Sequence, residues 1–142
     1  MPDGDTGTNM MLTMRSAMEE AFRARDGSAT AVASAIAKGA LMGARGNSGV
    51  ILSQIWRGIA RGLEGKEAFN ASELADALQQ ASDVAYKGVS NPVEGTMLTV
   101  IRDAASAARK KADEGTENII EVLEATVAAA GESVANTPKL LK

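Results

Sequence analysis

The sequence contains no histidine and no cysteine. Without imidazole there is no Ser-His-Asp triad, no histidine general base and no His-rich zinc site, and without thiols there are no disulfides and no thiolate nucleophile. Any catalysis therefore rests on carboxylates, hydroxyls, backbone dipoles and a bound metal. Aromatic residues make up 3% of the chain and the formal net charge is -3. Neither a basic face for phosphate backbones nor a set of stacking platforms for bases is available, which argues against nucleic acid as a partner. Proline occurs three times. No apolar run approaches the roughly 18 residues of a membrane-spanning helix, and the N-terminus lacks a charged region followed by an apolar core. The chain reads as soluble and cytoplasmic, with no membrane span.

What is present is a core-forming set of Ala, Leu, Ile, Val and Met within 142 residues that are 45% hydrophobic, enough for one domain. Alanine-rich, proline-poor sequence with strong helix formers throughout predicts an all-α protein whose helices approach closely. Six helical stretches are separated by glycine, asparagine or proline signals. The first runs from Asn9 to Arg25, the second follows the cap Ser28, and the third starts at Val50 with Ile51, Ile55 and Ile59 on one face. Asn70-Ala71-Ser72-Glu73 has capping-box spacing for the fourth. The fifth begins after Asn91-Pro92, and the sixth follows Thr116 and ends at Thr137-Pro138. Gly39 and Gly43, and again Gly58 and Gly62, lie one helical turn apart. They are read as close packing in a soluble bundle rather than as a membrane dimerisation motif. No internal repeat or linker is visible, and residues 1–142 read as a single domain.

Three glycine-hydroxyl segments carry the chemistry. Asp3-Gly4-Asp5-Thr6-Gly7-Thr8-Asn9 offers two hard carboxylate ligands of the kind Mg²⁺ takes, just ahead of a helix start where phosphates bind. An EF-hand reading fails, because the sixth and twelfth positions counted from Asp3 are Thr8 and Met14 instead of Gly and Glu. Gly46-Asn47-Ser48-Gly49 opens the third helix and could cradle phosphate oxygens, but it lacks the Gly-Lys-Ser/Thr ending of a Walker A loop. Asn91-Pro92-Val93-Glu94-Gly95-Thr96-Met97 places another glycine and hydroxyl at a helix start, with Met97 and Leu98 offered as an apolar surface for a flat ring. Each segment alone also reads as an ordinary turn or helix cap. Together they predict one shared polar end, whose convergence the sequence does not show. Arg57, Arg61, Arg102, Lys110 and Lys111 read as solvated helix faces, while Arg45 borders the second segment within reach of a phosphate.

Pro2-Asp3-Gly4-Asp5-Thr6-Gly7-Thr8-Asn9-Met10, the stretch from Gly43 to Gln54 and the stretch from Pro92 to Val100 closely resemble the ATP-binding domain of bacterial fatty acid kinases. That domain belongs to the dihydroxyacetone kinase nucleotide-binding (L, or DAK2) superfamily. The resemblance covers essentially the whole chain. It implies an antiparallel barrel of eight amphipathic helices that binds ATP and two Mg²⁺ ions at one end. Asp3 and Asp5 would ligate the metal, while Thr6, Gly7, Thr8 and Asn9 would contact the nucleotide. Asn47 and Ser48 would hold phosphate oxygens, and Thr96 and Met97 match a segment that approaches the nucleotide. The resemblance further implies transfer of the γ-phosphate to a fatty acid carboxylate presented by a separate fatty-acid-binding protein. No residue is assigned as a catalytic acid or base.

The dihydroxyacetone branch has a third metal-binding Asp upstream of its acidic segment, which has no counterpart here. With six helices in place of eight, the chain is read as a version of the domain shortened at both ends. Apolar faces left uncovered in this way invite self-association, including a homodimer. The competing readings are the nucleotide-binding domain of a dihydroxyacetone kinase and a non-enzymatic helical interaction module whose glycine segments are only turns.

Overall fold

The computed structural model describes residues 5–141. It contains α1 (Thr6–Arg23), α2 (Ala29–Met42), α3 (Gly46–Gly62), α4 (Ala71–Lys87), α5 (Met97–Asp113) and α6 (Ile119–Leu140). No strand occurs among the described residues. The all-α expectation is met, and the local signals explain most boundaries. Ser28 caps α2 by accepting the Ala31 N–H at 3.2 Å. Asn70 accepts the Glu73 N–H at 2.9 Å while Glu73 accepts the Asn70 N–H at 3.0 Å, a complete capping box at the start of α4.

That box gives a local test. Asn70→Ala removes one orphan-donor partner and is expected to cost about 1 kcal/mol, read as a lower urea midpoint at unchanged m. Lys66, bonded to the Glu73 carboxylate at 2.6 Å, and the Asn70 N–H hold that carboxyl below its ordinary range. Its contribution is therefore present above the usual glutamate range and is lost as pH falls through the depressed folded value.

Four helices have boundaries that differ from the sequence reading. α1 begins at Thr6 rather than Asn9, because Asp5 is the N-cap and accepts the Thr8 N–H at 2.9 Å. α3 begins at Gly46 rather than Val50, so Asn47 and Ser48 occupy its first turn instead of a preceding loop. α5 begins at Met97, several residues beyond Asn91-Pro92, because Gly95 sits at φ 84° and Thr96 serves as N-cap. α6 continues through Pro138 to Leu140. A proline lacks the N–H that would bond the carbonyl four residues back. Here the Thr137 hydroxyl donates to that carbonyl, Val134 O, at 2.8 Å.

Neighbours in sequence are neighbours in space, and they run antiparallel. A Cβ at Gly58 would strike Ala81 and one at Gly62 would strike Ala77, so α3 and α4 meet along the small-residue stripe in opposite directions. Gly39 meets Ser16 and Ala17 in the same way between α2 and α1. Among the described residues, three apolar clusters hold the arrangement. Ala33, Leu63 and Ala77 join α2, the residue just past α3, and α4. Ala81, Ala85, Leu98 and Ile101 join α4 to α5, with Ile51, Ile55 and Ile59 of α3 packed on them. Ala71, Leu74, Ala75, Ala108 and Val122 join α4, α5 and α6.

α1 packs on α2 and α3, α6 packs on α5 and α4, and no contact forms between α1 and α6 among the described residues. The outer helices carry exposed apolar side chains at helical spacing: Met11, Met18 and Phe22 on α1, and Ile120, Leu123, Val127 and Val134 on α6. No described helix is long and apolar enough to cross a membrane.

Candidate functional site

In an up-down bundle the odd-numbered helices all start at the same end. That topology brings α1, α3 and α5 to one rim with their N-terminal, positively polarised turns. A cavity of about 830 Å³ opens there. From the three motif segments it is lined by Thr6, by Asn47 and Ser48, and by Gly95, Thr96 and Met97. Below the rim its walls are apolar, with Met10 from α1, Ile51, Leu52 and Ile55 from α3, and Val100, Ile101 and Ala104 from α5. α6 closes one side with Thr126, Ala130, Val134 and Thr137.

Asp3 lies outside the described residues. Asp5 flanks the cavity as the exposed N-cap of α1. The Thr8 backbone N–H, followed by the Thr8 hydroxyl, holds its carboxyl below the usual range. The charge-dependent part of its α1 capping is accordingly kept above the ordinary aspartate range and is lost as pH falls through the depressed value. Gly7 and Thr8 are exposed on the first turn of α1 and do not line the cavity, nor does Asn9. Ser48 is buried and Asn47 exposed. Leu98, offered above as part of a ring-binding surface, is 2% exposed and belongs to the α4–α5 core. Met97 alone of that pair lines the cavity.

The sequence gives no sign of what holds these segments in register. Thr13 is fully buried two turns in from the cavity end of α1. Its hydroxyl donates to Asn9 O at 2.8 Å and accepts the Arg45 N–H at 3.2 Å, tying the start of α1 to the N-cap of α3. A Cβ at Gly49 would lie 2.5 Å from that same hydroxyl oxygen. Glycine is therefore required there by close approach and not by a turn. Deeper between the same helices, Trp56 Nε1 donates to Met14 Sδ at 3.1 Å. Arg102, read from sequence as a solvated charge, is exposed and in addition donates to Glu94 at 2.8 Å and lies 3.5 Å from Asp103.

The residues that line the cavity, with Asp5 next to Thr6, carry hard oxygens: the Asp5 carboxylate, the Thr6 and Ser48 hydroxyls, the Asn47 amide and the Thr96 hydroxyl, which also caps α5. Such a set suits Mg²⁺ and not a soft metal. No group of three or more His, Cys, Asp or Glu side chains forms a ready cage among the described residues. An ion held here would share its shell with ligand phosphate oxygens and water.

A family model described as the DAK2 domain matches residues 1–142. An uncharacterized protein of Staphylococcus haemolyticus is 52% identical over 141 residues, which cover 99% of this chain and 25% of that protein. An uncharacterized protein of Staphylococcus aureus is 50% identical over 141 residues, covering 99% of this chain and 26% of that protein. The chain thus spans about a quarter of the length of these curated relatives. DAK2 domains are the ATP-binding domains of kinases of the dihydroxyacetone kinase type. A family model covering every residue, together with six packed helices among the described residues and three motif segments meeting at one cavity, places this chain in the DAK2 domain family.

Proposed function

We propose that this chain is the ATP- and Mg²⁺-binding domain of a phosphotransferase of the fatty acid kinase type. The observation that carries the reading is convergence. Thr6, Asn47, Ser48, Thr96 and Met97, drawn from three separate motifs, line one cavity at the helix starts. Positively polarised helix N-termini and hydroxyls suit a polyphosphate, and the apolar walls behind them suit a flat base. In this reading Asp5, together with Asp3, holds Mg²⁺, which neutralises phosphate charge. Asn47 and Ser48 receive phosphate oxygens, and the Met97 side chain borders the base.

Phosphoryl transfer asks mainly for positioning and charge neutralisation, so a chain without His or Cys is adequate for it. The proposed acceptor is a fatty acid carboxylate brought by a separate binding protein. Its oxygen bonds to the γ-phosphorus as the bond to ADP breaks, giving an acyl phosphate. A carboxylate is already deprotonated near neutral pH, so no general base is required. This acceptor rests on the similarity of the motif strings to fatty acid kinases.

Calorimetric titration with a non-hydrolysable ATP analogue, with and without Mg²⁺, tests the nucleotide reading. Binding heat is expected only when the metal is present. No heat under either condition would overturn the reading in favour of a helical interaction module. Phosphorylation of dihydroxyacetone in place of a protein-carried fatty acid would reassign the acceptor.

A further inference from the structure

We infer that Glu94 is a positioning residue: acting through Thr99, it sets the Gly95–Thr96–Met97 turn that forms one wall of the cavity. The inference rests on the nucleotide reading given above. Thr99, in the first turn of α5, is 1% exposed. Its hydroxyl accepts the Gly95 N–H at 2.9 Å and donates to Glu94 Oε2 at 2.5 Å. A hydroxyl has a single proton, so the direction of this relay is fixed: carboxylate accepts, hydroxyl donates, and the hydroxyl lone pair holds the loop amide. A charged acceptor strengthens both bonds.

Glu94 is itself held from two helices. Arg102 Nη1 of α5 donates to its Oε1 at 2.8 Å, and the Tyr86 hydroxyl of α4 donates to the same oxygen at 3.4 Å. The network continues through Arg102 and Asp103 to Ser133 of α6, whose hydroxyl donates to Asp103 Oδ2 at 2.7 Å. The turn it holds has no slack on the other side. Gly95 sits at φ 84°, and a Cβ there would come within 2.8 Å of Thr137 O and Leu141 Cγ. Thr96 and Met97, the next two residues, face the cavity. Both members of the Arg102–Glu94 pair are nearly half exposed, so the pair contributes little to folding stability. Its consequence is geometric.

Glu94→Gln is nearly isosteric yet cannot reproduce the relay. If the amide oxygen faces Thr99, the NH₂ group faces the Arg102 donors; if the NH₂ group faces Thr99, the hydroxyl proton loses its acceptor. Simple electrostatics predicts the opposite sign, since removing a carboxylate near a polyphosphate strengthens binding. The test is titration of the ATP analogue with Mg²⁺ into wild type, Glu94→Gln, Thr99→Val and Thr99→Ser, with amide hydrogen exchange followed at Gly95.

Supporting groups one layer behind a ligand contact ordinarily change affinity 10–100-fold, so Glu94→Gln and Thr99→Val are each expected to weaken binding about tenfold. Both are expected to accelerate Gly95 exchange. Thr99→Ser, which keeps the hydroxyl, is expected to retain wild-type affinity and exchange. The melting temperature of Glu94→Gln should stay near wild type, which separates positioning from general destabilisation. Unchanged or tighter binding by Glu94→Gln, with wild-type protection at Gly95, would overturn the role of Glu94 while leaving the nucleotide reading intact. Failure of wild type itself to bind would instead overturn the nucleotide reading and the role assigned with it.

Discussion

Asp5→Asn is expected to abolish the Mg²⁺-dependent part of nucleotide binding while leaving the melting temperature of the ligand-free chain near wild type. The separation is expected because the observed capping role of Asp5 and its proposed metal role differ in their need for charge. As the N-cap of α1 it accepts the Thr8 N–H at 2.9 Å. Asparagine offers an equivalent oxygen and is an equally favoured cap. As the proposed magnesium ligand, by contrast, it would contribute an anionic oxygen, which an amide replaces poorly for a hard divalent ion. Asp5→Ala removes both and is expected to lose metal-dependent binding and to lower thermal stability. A melting temperature lowered in Asp5→Ala alone, with metal-dependent binding lost in both variants, is the pattern the dual role requires. Retention of metal-dependent binding in Asp5→Asn would remove Asp5 from the metal site.

The metal and nucleotide assignments come from motif strings, and the strings were legible only in part. The capping box of α4 was fully readable because Asn70 and Glu73 act within one turn. The sequence reading places the starts of α1 and α3 too late for a common reason. Gly7 and Gly49 look like loop residues in sequence, yet both are helical. Gly49 is glycine because the Thr13 hydroxyl, 36 positions earlier in the chain, occupies the space a Cβ would need. No local pattern carries that information. The passage of α6 through Pro138 likewise depends on the Thr137 hydroxyl standing in for the missing N–H.

The all-α class, the single-turn glycine spacing and the three chemical segments were all visible in the sequence. Their convergence was not, although it follows from the alternation of helix direction once antiparallel packing is established. Leu98 shows the limit of reading one segment alone. Its neighbour Met97 faces the cavity, while Leu98 turns into the α4–α5 core because α5 buries Leu98 and Ile101 against Ala81 and Ala85. Arg102 is the complementary case, a surface charge by sequence whose partner, Glu94, lies on the preceding loop.

Gly58→Ala and Gly131→Ala are expected to move stability in opposite directions. Replacing a helical glycine by alanine removes an entropic penalty worth about 1 kcal/mol, so where space is open the change stabilises. Gly131, exposed in the middle of α6, has nothing within 4 Å of the added carbon. Its replacement is expected to raise stability by about 0.5–1 kcal/mol. At Gly58 the added carbon would meet the Ala81 Cα and N and the Gln80 O of α4, all closer than 3.0 Å. These are backbone atoms, so no rotamer change relieves the overlap and α3 must move away from α4.

Overpacking of this kind costs about 1–3 kcal/mol. The upper part of that range applies here, because separation also loosens the Ala81, Ala85, Leu98 and Ile101 cluster against Ile55 and Ile59. Net destabilisation of about 2 kcal/mol is expected after the propensity gain is deducted, read as a lower urea midpoint. The consequence extends to the site, since Ile51 and Ile55 pack on that cluster and also line the cavity wall beneath Asn47 and Ser48. Gly58→Ala should therefore weaken nucleotide binding even at temperatures where the chain remains folded, whereas Gly131→Ala should not. Equal and positive stability changes in the two variants would show that α3 and α4 are not in the close contact on which the position of the α3 start depends.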